Sequence, residues 1–172
     1  MTIRRILSPM SKKSVYLETS FISYLAARPS RNLVTAAHQT ITHDWWENRR
    51  HDFDLFISEL VIIEAQRGDP QAAEQRLAIT KDLPLLDLSI ETEHLTEALL
   101  QHHAVPKKAV EDAAHIAVTC VSGVDYLLTW NCKHIANAQC FRAIEEVCAE
   151  QGYISPIICT PDELLGGLPD VE

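Results

Sequence analysis

Val15-Tyr16-Leu17-Glu18-Thr19-Ser20 reads VYLETS, three residues suited to a buried strand that run straight into a carboxylate and two hydroxyls. An acid in that place is either a surface residue where the chain turns or a charge held at the mouth of a sheet. Ser14–Glu18 is expected as a first strand, with Thr19 or Ser20 capping the helix that follows. Arg28-Pro29-Ser30 interrupts that helix, and the pattern from Asn32 to about Arg50 predicts an amphipathic one. Phe53–Ser58 is a second strand, and Ser58 can cap a helix carrying Leu60, Val61, Ile63 and Glu64. RGDP at 67–70 stops it ahead of a helix over about 71–81.

Leu83–Leu88 is expected as a third strand, followed by a helix opened by Ser89. Pro106 suits the first position of the next helix, PKKAVEDAAHIAVTCVSG, which Gly123 ends. Asp125–Trp130 is a fourth strand; a helix over about Phe141–Gln151 and an apolar piece, Ile157–Cys159, close the pattern. Strands alternating with helices imply an α/β fold, a three-layer α/β/α sandwich with a mostly parallel central sheet. The divisions expected are an N-terminal extension (1–13), one domain (14–160) and a C-terminal tail (161–172), with Met10 as an alternative start to Met1.

The 172 residues suffice for one domain with a real core. No apolar run approaches the roughly 20 residues that span a bilayer, and MTIRRILSPMSKK lacks the apolar stretch of a secretory signal, so a cytoplasmic location is expected. The five cysteines contain no CxxC pair and read as buried thiols rather than disulfides or a structural zinc site, although Cys132 and His134 could supply two ligands. Net charge is −9, against binding nucleic acid by bulk attraction, yet residues 1–50 carry eight Lys or Arg against three acids, a local +5.

Sites in open α/β sheets form outside the carboxyl ends of the strands. Glu18 belongs there after the first strand, and Thr129-Trp130-Asn131 after the fourth. Glu64 and Asp112 interrupt otherwise apolar helical faces, where an unpaired carboxylate is costly to desolvate. Singly, each has an ordinary alternative as a turn or surface residue. Together, three carboxylates and an amide offer the hard oxygen donors that suit Mg²⁺ or Mn²⁺. His115, three residues beyond Asp112, is either a supporting donor or a packed core histidine. Tyr24, Trp45 and Trp46 are aromatics that could stack on an unpaired base, pack a core, or, for one of the adjacent tryptophans, meet another subunit.

YLETS, SELVIIEAQRGD, AVEDAAHIAVT and YLLTWNCKHIAN, in that order and spacing, resemble the motifs of PIN domains, the nuclease fold of VapC-type toxins. The resemblance covers about Ser14 to Thr160. It implies a metal-dependent endoribonuclease, the toxin of a type II toxin–antitoxin pair, with an antitoxin protein and a homodimer as expected partners. It assigns Glu18, Glu64 and Asp112 as metal-binding carboxylates, Asn131 as a polar partner, and Thr19, Thr129, His115 and His134 as supporting residues. Arg28, Arg31, Lys107 and Lys108 are the candidates for contact with the RNA backbone. Two departures stand out. Glu18 occupies a place usually held by Asp, and His134 replaces an acid at the end of the Thr-x-Asn-x-x-Asp segment, which weakens or removes a second metal. These departures keep open a second function, a weak or inactive PIN-like module acting through protein or RNA binding.

Overall fold

Val15, Tyr16 and Leu17 are fully buried, and this strand, β1 (Lys13–Leu17), is the middle of the sheet in a computed structural model that describes residues 12–166. It pairs in parallel with β2 (Phe53–Ser58) on one side and β4 (Tyr126–Leu128) on the other. β3 (Leu85–Leu86) adds beyond β2, and β5 (Ile157–Cys159) beyond β4. The order β3-β2-β1-β4-β5 is parallel throughout. A continuous apolar run such as Val15–Leu17 is what a strand covered on both faces requires.

Seven α-helices among the described residues cover the sheet, giving the three-layer α/β/α sandwich. α1 (Thr19–Ala26) packs on α2 (Leu33–Asn48), α3 (Glu59–Ala65) and α4 (Pro70–Thr80). α5 (Ile90–Gln101) packs on α6 (Val110–Ser122) and α7 (Ala138–Glu150). α6 is the most interior of these: Ala113 and every residue from His115 to Cys120 are buried. Burying a Val, Leu or Ile side chain in such a core is worth about 1.5–3 kcal/mol.

Register is pinned at the amino end of the sheet. Asp125 Oδ2 accepts from the Ser14 amide (2.9 Å) and hydroxyl (2.8 Å), and Lys13 Nζ reaches Oδ1 at 2.7 Å. This sets Val15 opposite Tyr126 and brings Leu17 level with Leu128, so β1 and β4 end together at the opposite edge. The chain runs outward from β1 in one direction through β2 and β3, then returns to start β4 on the other side. The order reverses between β1 and β4, and a crevice opens outside their carboxyl ends.

Several local expectations are corrected. Glu18, not Thr19 or Ser20, holds the N-cap position of α1; both hydroxyls lie inside the helix and turn to the carboxylates instead. Ser58 precedes α3 but makes no capping bond, because Tyr16 takes its hydroxyl. α6 starts at Val110, since Pro106–Lys108 form a turn closed by the Ala109 amide on the Pro106 carbonyl (2.8 Å). The third strand shrinks to two residues at the sheet edge. The RGDP stop behaves as expected: Gly68 takes φ +83°, and Asp69 caps α4 through the Ala72 amide.

β1 already includes Lys13, and the Leu164 carbonyl accepts from the indole N–H of the fully buried Trp45 (3.2 Å), tying the segment beyond Thr160 to the core. A buried indole needs such a partner. Trp46 lies half-buried against Phe21, with Arg50 over its ring. Met1 and Met10 fall outside the described residues, as do most of the N-terminal extension and residues 167–172. No helix of the described residues is long and apolar enough to cross a membrane.

Candidate metal centre

β1 delivers Glu18 to the crevice in extended conformation, and the Glu18 amide donates to the Leu128 carbonyl of β4 (3.1 Å), so the carboxylate leaves the sheet at the point of reversal. Glu18 is only 5% exposed. One oxygen, Oε2, accepts from the Ser20 hydroxyl and from the Thr129 hydroxyl, the latter at 2.6 Å. Ser20 Oγ in turn accepts from the Trp130 amide (2.8 Å), and Thr129 Oγ1 from the Asn131 amide (2.9 Å). The segment after β4 is thereby clamped to the start of α1.

Glu64 comes from the last turn of α3 and points inward, while Glu59 at the start of that helix is exposed. Its Oε2 accepts from the Thr19 hydroxyl and meets His115 Nε2 at 3.1 Å. His115, at 1% exposure, is satisfied on both sides, because its Nδ1 lies 2.7 Å from the Tyr16 hydroxyl, which is itself 2.7 Å from Ser58 Oγ. A buried chain Ser58, Tyr16, His115, Glu64 thus runs from the core to the crevice.

The electrostatics follow from this burial. Burial by itself would push the Glu64 carboxyl up, but the His115 bond and charge, helped by Thr19, outweigh it and hold it at about 2. Burial would likewise lower His115, yet Glu64 and the nearby charges of Glu18 and Asp112 raise it above its ordinary 6.5. Burial drives Tyr16 strongly upward, so it remains a neutral O–H. When His115 is charged, both ring nitrogens donate: Nε2 to Glu64 and Nδ1 to Tyr16, whose own proton goes to Ser58. In the neutral ring with Nε2–H on Glu64, Tyr16 donates to Nδ1 instead.

Among the described residues, Glu18, Glu64 and His115 each offer a ligand atom, all within 4.8 Å of one another. Comparison with protein-family models gives no match for this chain, and comparison with curated proteins gives none either. The donor set itself carries the chemistry. Both acids line an open cleft of about 570 Å³ beside α1 and α2, together with Arg67, whose guanidinium pairs with Glu111. Two carboxylates, each anchored through Oε2, fit a divalent cation such as Mg²⁺ or Mn²⁺, and an imidazole in reach favours Mn²⁺ of the two.

Asp112 lies close enough for its charge to raise His115. It is not among the three residues whose ligand atoms converge; Oδ1 accepts from Asn131 Nδ2 (2.8 Å), and Oδ2 meets His134 Nδ1 (2.8 Å). The Asn131 Oδ1 closes the group by accepting from the His134 amide (3.2 Å). His134 therefore does not simply leave the place of an acid vacant but engages the neighbouring one. Arg28, Arg31, Lys107 and Lys108 are all exposed; Arg28 Nη2 donates to Gln71 Oε1 (2.8 Å).

The sequence reading gives Tyr16 and Ser58 no part in the site, since Tyr16 reads as an ordinary strand residue and Ser58 as a helix cap. The available signal is their placement: two polar side chains in adjacent parallel strands, both fully buried and hence obliged to find partners.

Proposed function

We propose that this protein is a Mg²⁺- or Mn²⁺-dependent endoribonuclease, with Glu18 and Glu64 as the principal metal-holding carboxylates, His115 beside them and Asp112 at the rim. The observation that carries the proposal is the convergence of the Glu18, Glu64 and His115 ligand atoms within 4.8 Å, outside the carboxyl ends of β1 and β4. A divalent cation supplies, when bound, a water of lowered pKa and a positive charge for the phosphate oxygens. The chain's own residues do the positioning. Thr19 holds Oε2 of Glu64, and Ser20 and Thr129 hold Oε2 of Glu18. Asn131 and His134 fix the Asp112 carboxylate, and Tyr16 fixes the imidazole of His115.

RNA as substrate, an antitoxin protein as partner, a homodimer and the toxin role all rest on the resemblance to VapC-type PIN domains. One observation favours the alternative, a weak or inactive module that acts by binding. Each of Glu64 and Asp112 is engaged by a histidine, and a cation must displace the proton between His115 and Glu64 to use that nitrogen.

The deciding experiment is RNA cleavage with Mn²⁺ or Mg²⁺, alongside calorimetric metal titration, for wild type, Glu64→Gln and Asp112→Asn. Metal-dependent cleavage that Glu64→Gln abolishes is expected. Equal cleavage in wild type and Glu64→Gln overturns the site, and absence of both metal binding and cleavage in wild type selects the binding module.

A further inference from the structure

The cleft that holds Glu18 and Glu64 has a second wall that metal binding does not use. Tyr24 on α1 and Thr35 on α2 line it, together with Ser23 and Gln39. Gln39 is fixed, with its Oε1 accepting from the Ser30 amide (2.9 Å) and its Nε2 donating to the Arg28 carbonyl (2.8 Å). The hydroxyls of Ser23, Tyr24 and Thr35, by contrast, have no protein partner among the described residues. A cleft of about 570 Å³ falls within the roughly 300–1,000 Å³ typical of small-ligand sites.

Behind Tyr24 stands an aromatic group that holds its ring in place. His38 and Trp130 stack with centroids 4.0 Å apart and planes 14° apart, and Tyr24 packs nearly perpendicular to each, at 5.5 and 6.1 Å. Trp130 is anchored by its indole N–H on Thr42 Oγ1 (2.8 Å) and by its amide on Ser20. The aromatic group and the carboxylate group are therefore joined through one residue, Ser20. An adjoining cleft of about 370 Å³ shares Ser23 and Ala27 with the first and is lined by Arg28 and Arg76.

Resting on the nuclease reading, we propose that the Tyr24 cleft is a subsite for one unpaired nucleobase, with the next phosphate of the strand directed toward Arg28. The aromatic face of Tyr24 gives stacking that every base can use, the hydroxyls of Ser23 and Thr35 meet the polar edges of the base, and a neighbouring cation meets the backbone.

The test is fluorescence anisotropy in EDTA, where metal-dependent cleavage does not proceed. Its probes are fluorescein-labelled single-stranded hexa-adenylate and the same ribose-phosphate chain without bases. Wild type should bind the hexa-adenylate at least roughly 5-fold more tightly than the abasic chain. Tyr24→Leu should erase that ratio, Tyr24→Phe should keep it, and Arg28→Ala should weaken both probes alike. Equal binding of the two probes by wild type, or an unchanged ratio in Tyr24→Leu, overturns the base subsite. The wild-type comparison decides even if a variant fails to fold. Base discrimination without cleavage in any metal would leave the subsite standing and remove the nuclease reading. Glu64-dependent cleavage with equal binding of the two probes would do the reverse.

Discussion

The two histidine–carboxylate pairs of the crevice are built in opposite ways. His115 and Glu64 meet in the interior, at 1% and 15% side-chain exposure, with Tyr16 and Ser58 closing the far side of the ring. His134 and Asp112 meet half-buried, at 27% and 19%, so the two acids are about equally covered and the difference lies in the histidine; Asn131 is their support. A buried pair cannot lose one partner cheaply, because the other is left as an uncompensated charge away from water. An outer pair can exchange its partner for solvent. The inner pair therefore fixes the geometry of the crevice, and the outer pair adjusts its rim.

Substituting the acid of the inner pair gives the largest expected effect. Glu64→Gln should lower the unfolding free energy by about 3 kcal/mol in urea denaturation at pH 6. It should also weaken Mn²⁺ binding by more than roughly 100-fold, beyond what loss of an indirect partner produces. A loss below about 1 kcal/mol would mean that the inner pair is no stronger than a surface one.

The pH profile of that difference sharpens the contrast. Glu64, depressed to about 2, contributes stability above its ordinary 4.5 and loses it as pH falls toward 2. His115, raised above its ordinary 6.5, contributes below 6.5 and loses it as pH rises through the folded value. Thermal melts of metal-free protein should show the wild-type advantage over Glu64→Gln greatest between pH 4.5 and 6.5, shrinking on both sides. A flat difference from pH 3 to 9 would exclude a charged inner pair.

Tyr16→Phe leaves His115 Nδ1 and Ser58 without their partner and should destabilise by about 1–3 kcal/mol. Manganese affinity should fall roughly 10- to 100-fold, as expected when a ligand's own partner is lost. Unchanged affinity by calorimetry would show that the chain behind His115 serves the core alone. The smallest stability effect belongs to Asp112→Asn, within about 1 kcal/mol by denaturant melt, because Asn retains an acceptor for Asn131 and solvent reaches the rest. A loss equal to that of Glu64→Gln would erase the distinction between inner and outer pairs.

Much of the frame was legible in the chain. Apolar runs at Val15–Leu17 and Tyr126–Leu128, separated by helical periods and punctuated by RGDP and Gly123, imply strands covered on both faces and hence a parallel sheet. Glu18 followed by two hydroxyls was legible as an acid at a strand end. The helix starts were less so: a proline at 106 marks a permitted first position, but only packing decided that helical bonding begins at Val110.

The sequence by itself determined the alternation of elements, with Glu18 and Asn131 at strand ends and Glu64 and Asp112 on helical faces, since these follow from local periodicity and turn chemistry. Tertiary structure alone decided which of them meet. Strand order puts the ends of β1 and β4 side by side, and α6 brings a histidine rather than its aspartate to Glu64. Residues three apart on a helix lie about 60° apart around its axis, and only packing against the sheet sets which of them faces inward. That rotation places His115 among the carboxylates and leaves Asp112 to Asn131 and His134.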